Sequence, residues 1–232
     1  GSSHSGQNFY ARQEGRIDYS QAAKLTAQES NQVLERLDEM ASKIEDPRLA
    51  EAREKLTRVE GAVGSQDPES SKHTMDDIQQ IKRLLAETRQ VHLKTIRQLE
   101  LDKALTFFDK YVREHAKPSE ISTFENLVKT AQRVMNAPSN EFESHVDDLR
   151  SKTFMILWRQ DWFVLDRFKM LAEAAHLFPD AHTHAQLVAM GTEALKADDM
   201  ARLRTIVAQL DAARIGTSGD DDMLSTTNIV RG

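Results

Sequence analysis

The chain reads as an all-α protein, on three observations. Ala, Leu, Glu, Lys, Arg and Gln are plentiful, whereas nine glycines and five prolines are few across 232 residues, which is a helix-forming composition. Apolar residues recur at spacings of three, four and seven through almost the whole chain, the signature of one helical face turned inward. Apart from "QNFYARQ" near the start, no stretch alternates as a strand does.

After "QNFYARQEGRIDYSQAA", Asp18 or Ser20 can cap a first helix. Its inward face is Ala22, Leu25, Ala27, Val33, Leu34, Leu37, Met40, Ala41 and Ile44. "EDP" ends it, because Pro47 cannot continue one helix and is well placed to begin the next. The second helix carries Leu49, Ala52, Leu56 and Val59 and stops at the loop "GAVGSQDPESS". From Thr74 to His115 one periodic face runs without Gly or Pro, from Met75 and Ile78 to Phe108 and Val112. Unbroken, it would be ~60 Å long, a spine for the fold unless it kinks near "QLELDK". "AKPSEIS" closes it, and Ser119 or Ser122 can cap a helix over 123–136. After "NAPSNEFES" the spacing predicts one long helix from Phe142 to Ala175. "HLFPDAHTH" is a loop whose Pro179 and Asp180 suit a helix start, and helices over 181–197 and 199–213 follow, divided at "KADD". The tail "RIGTSGDDDMLSTTNIVRG" has no helical period.

The expected organisation is therefore about seven helices in antiparallel hairpins or a bundle, two of them long, with a flexible C-terminal tail. In domain terms, 1–17 is a tag remnant ("GSSHSG") and linker, and 18–115 holds N-terminal helical hairpins with the long spine helix. A C-terminal helical subdomain occupies 116–213, and 214–232 is a flexible acidic tail.

Composition also excludes several function classes. With no cysteine there are no disulfides, zinc–thiolate sites or thiol nucleophiles, and the expected compartment is the reducing cytoplasm. No run of eighteen or more apolar residues occurs. A net charge of −6 argues against a general nucleic-acid binder. Neither a G-x-G-x-x-G turn nor a Walker loop is present, and no cofactor is expected in this chain. His176, His182 and His184 lie close together around Asp180, but two residues of spacing put His182 and His184 on different helix faces. "EAAH", Glu173–His176, is one half of the paired motif that a di-metal carboxylate bundle requires. His145 and Asp148, one turn apart, read as a solvated pair. No catalytic residue and no metal ligand is assigned.

One stretch concentrates the aromatics. The chain has nine Phe, two Trp and three Tyr, and "FMILWRQDWFVLDRF", residues 154–168, contains five of them, both tryptophans included. Phe154, Trp158 and Trp162 are spaced by four along one edge, and Met155, Leu157, Phe163 and Val164 widen the apolar arc. A helix this apolar is either the central core of the C-terminal half or a partly open groove for a partner's apolar segment. Trp158, Trp162, Phe163 and Phe168 are the candidate partner-binding residues.

Longer stretches carry a family resemblance. "RIDYSQAAKLTAQESNQVLERLDEMASKIEDPRL", "IRQLELDKALTFFDKYVREHAKPSE", "WRQDWFVLDRFKMLAEAAHLFPDA", "EALKADDMARLRTIVAQL" and the ending "NIVRG" resemble the C-terminal helical region of divergent bacterial DnaK-type (heat-shock-70) chaperones. The pairs "LAEAREKL…IKRLL" and "AHTHAQLV…AARI", each helix, acidic loop, helix, are similar to the helical lid of that family. The resemblance implies a non-enzymatic lid or docking module, served by ATPase and peptide-binding domains upstream in the same polypeptide. It implies protein clients or co-chaperones as partners and unfolded-protein binding; the net charge and the lack of long apolar runs add the expectation of neither nucleic acid nor membrane. "TTNIVRG" departs from the Glu-Glu-Val-Asp ending that recruits co-chaperones in eukaryotic members. A free-standing helical adaptor unrelated to chaperones is the alternative.

Overall fold

A computed structural model describes residues 19–63 and 68–214. The expected tag remnant, the "QNFYARQ" segment and the acidic tail from Ile215 onward lie outside the described residues. Among those described, all regular structure is helical: nine α-helices, one π-helical turn and two 3₁₀ turns. The chain divides into two compact units, one ending at Thr95 and the other beginning at Ile96.

In the first unit, α1 (Tyr19–Ala41), α2 (Pro47–Ala62) and α3 (Pro68–Val91) pack on one another. On α1 the buried positions are Thr26, Ser30, Val33, Leu37 and Met40, a stripe at spacings of three and four. Pro47 opens α2 at a position whose N–H would have had no helical partner anyway. Asp46 caps the same end by accepting from the Arg48 N–H at 2.9 Å. Leu49, Ala52, Leu56 and Val59 of α2 and Ile78, Ile81, Leu84 and Leu85 of α3 are all buried, and the two helices pack on each other, each large side chain contributing ~1.5–3 kcal/mol.

Polar links give the helix directions. Lys55 Nζ bonds Gln80 Oε1 at 2.7 Å and Arg58 lies 3.7 Å from Asp77, so numbers rise on α2 as they fall on α3. Thr26 meets Met75 and Glu29 meets Lys82, so α1 and α3 run the same way. The unit is an up–down–up three-helix bundle, and α2 with α3 forms the first expected hairpin.

The spine expected from Thr74 to His115 is not one rod. α3 ends at Val91, His92 is a turn, and α4 (Leu93–Phe107) follows. The interruption contains no Gly or Pro and lies before "QLELDK". At this point His92 Nε2 sits 3.0 Å from Asp46 Oδ2, so the carboxylate that caps α2 also holds the end of α3. The Arg48 N–H, and after it the His92 contact, keep the Asp46 carboxyl below the usual carboxylate range. Beyond Phe107 come a π turn (Phe108–Val112) and a 3₁₀ turn (Arg113–His115). Residues 96–115 belong with the C-terminal helices, so the division falls earlier than 115/116.

The second unit continues with α5 (Pro118–Arg133), α6 (Glu141–Trp158), α7 (Asp161–Glu173), a 3₁₀ turn (Ala175–Leu177), α8 (Ala181–Lys196) and α9 (Met200–Ala213). α5 starts before the serines expected to cap it, because Pro118 takes the first position and the Glu120 carboxylate accepts from the Lys117 N–H at 2.8 Å. One core joins Leu101, Phe108, Val112, Phe124, Val128, Phe142, Val146, Leu149, Ile156, Leu157 and Phe163. Inside it Phe108 stacks on Phe124, with centroids 3.8 Å apart.

Arg97, only 2% exposed, fixes the α5–α6 connection. Its guanidinium donates to Glu143 and to the carbonyls of Met135, Ala137 and Ser139 at 2.8–3.1 Å. The buried cation thus caps three loop carbonyls and pairs with a carboxylate in the first turn of α6.

α8 and α9 form the second hairpin. Asp180 caps α8 as its position suggests, accepting from His182 and Thr183 N–H groups. Asp198, in the acidic turn, has φ 53°, the left-handed conformation that commonly ends helices. Arg167, buried, makes a two-pronged pair with Asp211 at 2.7 and 2.8 Å, and Arg204 reaches Asp161 at 2.8 Å. Numbers on α7 and α9 therefore rise together, and α7–α8–α9 is a second up–down–up set. A Cβ on Gly191 of α8 would lie 2.2 Å from the Phe168 ring; the glycine is what lets α8 close over α7.

Candidate functional site

The single helix expected over 142–175 bends into α6 and α7, and the bend sorts the aromatic residues. Gln160 has φ −88° and ψ 124°, outside the helical region, again with no Gly or Pro nearby. Ending α6 leaves its last carbonyls without helical partners, and Arg204 of α9 supplies them. It donates to the carbonyl oxygens of Trp158 (3.3 Å) and Arg159 (3.2 Å) while holding Asp161 in the first turn of α7. From the other side the Arg159 guanidinium makes two 2.7 Å bonds to Glu120 and one of 3.2 Å to the His115 carbonyl. The corner is set by two arginines whose partners lie far away in sequence.

The Arg159 fork, and next the Lys117 N–H, hold the Glu120 carboxyl at about 2. Reciprocally, Arg159 is raised above its ordinary value, with the hydrogen bond to Glu120 as the largest cause. Arrangements of this kind position a backbone; no proton leaves them near neutrality.

Adjacent helical residues point 100° apart, so neighbours in the stripe have opposite fates. Phe163 is 0% exposed and belongs to the core, touching Phe154 edge-on at 5.5 Å. Phe168 is buried under α8 against Gly191. Trp158 is half-buried and stacks on Phe154 with centroids 5.7 Å apart. Trp162 reaches the surface at 36% exposure, its ring edge-on to Phe163 and 6.0 Å from the His115 ring. Of the four candidate residues, then, Phe163 and Phe168 form the floor and only Trp158 and Trp162 present themselves to solvent.

Leu165, 37% exposed and one turn after Trp162, continues the open edge along α7. Lys169, also exposed, stands one turn further. His115, Glu120 and Arg204 were not indicated by spacing. They come from a turn and two helices whose approach to the bend depends on tertiary packing, and no local pattern marks them. Phe154 lies under this edge with the buried Arg167 guanidinium 5.2 Å from its ring centre.

The histidines near Asp180 do not gather. His184 is buried, its Nε2 2.9 Å from the Leu171 carbonyl, whereas His182 is exposed at the start of α8. Among the described residues no group of three His, Cys, Asp or Glu side chains is placed to hold a metal ion. Among the same residues no helix is long and apolar enough to cross a membrane.

In comparisons with protein-family models, curated proteins and solved structures, nothing matches the chain.

Proposed function

We propose that this chain is a non-catalytic recognition module, the helical C-terminal part of a DnaK-like cytoplasmic chaperone, which docks protein clients or co-chaperones at the α6–α7 corner. The observation that carries the docking role is the exposed Trp162–Leu165 edge, seated on a corner held by two arginine clamps. Aromatic side chains held rigidly at a surface lose little entropy on binding and dominate interface energetics. The chaperone assignment is supported by the quoted sequence stretches and by the packing of both acidic-loop hairpins. In this reading ATP hydrolysis belongs to an upstream domain, and the corner favours partner docking over closure as a lid. The same edge would serve a free-standing helical adaptor.

Two titrations test the two parts separately. In the first, a fluorescently labelled, permanently unfolded model protein is titrated with the chain and followed by anisotropy. Saturable binding is expected, and its absence removes the chaperone reading. In the second, Trp162→Ala is expected to weaken binding about thirtyfold, the effect of a ~2 kcal/mol hot spot, while thermal stability hardly changes. Phe163→Ala, taken from the core, is expected to cost ~3–5 kcal/mol of stability. Unchanged affinity in Trp162→Ala removes the corner.

A further inference from the structure

The corner between α6 and α7 turns on a single backbone angle. Arg159 is still helical (φ −71°, ψ −16°), and Gln160, at ψ 124°, is the residue that leaves the helix. The buried stripe nevertheless keeps its phase across the turn. It runs through Leu149, Thr153 and Ile156 on α6 and through Phe163, Arg167 and Leu171 on α7. The spacings are all three or four once Gln160 takes the missing place. A straight helix from Glu141 to Glu173, ~50 Å long, would therefore carry all these side chains on one side.

We propose that straightening at Gln160 fuses α6 and α7 into one helix and hands α7–α8–α9 to a second copy of the chain, giving a dimer with exchanged arms. The arm is suited to exchange. Its three helices pack on one another, and Leu203, Ile206, Val207 and Leu210 are buried along α9. Among the described residues, Phe163 is the arm's one contribution to the core that joins Phe108, Phe124 and Phe142. The hydrogen bonds balance as well. Opening the corner releases the Trp158 and Arg159 carbonyls from Arg204, and in the straight helix they accept from the Trp162 and Phe163 N–H groups instead. Arg204 keeps Asp161, which travels with it, and Arg159 keeps Glu120, which stays behind. In the dimer the arm's contacts re-form between chains: Phe163 on Phe154, Arg167 over Phe154, and Trp162 beside His115. The two states share these contacts and differ in the corner and in their dependence on concentration. Each dimer presents two Trp162–Leu165 edges, each completed by the other chain.

For the test, the full chain is unfolded in guanidinium chloride, refolded at low and at high protein concentration, and sized by light scattering. A dimer is expected at high concentration. Arg204→Ala leaves the bent carbonyls unclamped and should raise its share. Gln160→Gly keeps the bend and penalises the helix at two corners per dimer, so it should lower the association constant about tenfold. The chain has no cysteine, which makes exchange directly readable. Chains carrying His115→Cys are refolded together with chains carrying Trp162→Cys and treated with a short bismaleimide. The His115 and Trp162 rings lie 6.0 Å apart, so an exchanged dimer gives a covalent product of twice the chain mass. Monomer at every concentration in both the parent and Arg204→Ala overturns the proposal. A dimer that gives no such product also overturns it, by assigning the association to a surface contact. None of these readouts involves a docking partner, so their failure is distinct from failure of the docking reading, which is judged by Trp162→Ala binding.

Discussion

Replacing Arg97 with methionine removes a buried, heavily hydrogen-bonded cation of the second unit, and the structure sets the size of the effect. The guanidinium is 2% exposed and makes six hydrogen bonds, three to Glu143 and three to loop carbonyls. Methionine fills much of the stem volume, so little packing is lost. Glu143 is 31% exposed and regains water in part, and the Ser139 carbonyl belongs to an exposed residue. Met135, 7% exposed, keeps its carbonyl in the core, and stranding it costs ~1–3 kcal/mol. Adding the lost charged hydrogen bonds gives ~3–4 kcal/mol, toward the lower end of the range for breaking a buried pair from one side. A loss of this size lowers a melting temperature by roughly 10 °C. Both tryptophans lie in the second unit, so fluorescence-detected melting reads that unit, whereas circular dichroism at 222 nm reads both. Glu143→Gln leaves the three carbonyls capped and should cost less, and the double variant gives the coupling directly. A fluorescence-detected loss below 1 kcal/mol would refute the view of Arg97 as the clamp of the α5–α6 loop.

The other expectations concern the corner and the second hairpin. Glu120 is held at about 2 against an ordinary 4.5, so its contribution is complete above pH 4.5 and is lost as pH falls through 2. Glu120→Gln should therefore flatten the acid limb of the fluorescence-detected stability profile between those values, and an unaltered limb would contradict the Arg159 fork. Gly191→Ala places a methyl group where the Phe168 ring stands and should cost ~1–3 kcal/mol in urea unfolding; a neutral result would mean that α8 slides freely. Asp198, at φ 53°, should gain ~0.5–1 kcal/mol on replacement by glycine. Asp198→Val should lose stability in the same assay.

The sequence carried the helical class, the proline entry to α2, the Asp180 cap and both hairpins, because each depends on residues within one or two turns. It did not carry the interruptions at His92 and Gln160. Both lie in breaker-free periodic stretches, and the groups that stabilise them come from elsewhere: Asp46 for the first, Arg204 and Glu120 for the second. A periodic pattern records which residues are apolar, and a bend changes little in that record. The same limit applies to the aromatic stripe. Trp162 and Phe163 are neighbours with similar chemistry, and only the placement of α7 decides that one is floor and the other rim.

The tie from Arg204 to the end of α6 bears on the timing of synthesis. The Trp158 carbonyl waits for a side chain 46 residues later in the chain, which a ribosome adding ~5–20 residues per second delivers roughly 2–9 s afterwards. During that interval the bent geometry has no arginine from α9 to hold it. A nascent chain would emerge with only the Arg159 side of the corner held, and the Trp162–Leu165 edge would be finished only when α9 arrives.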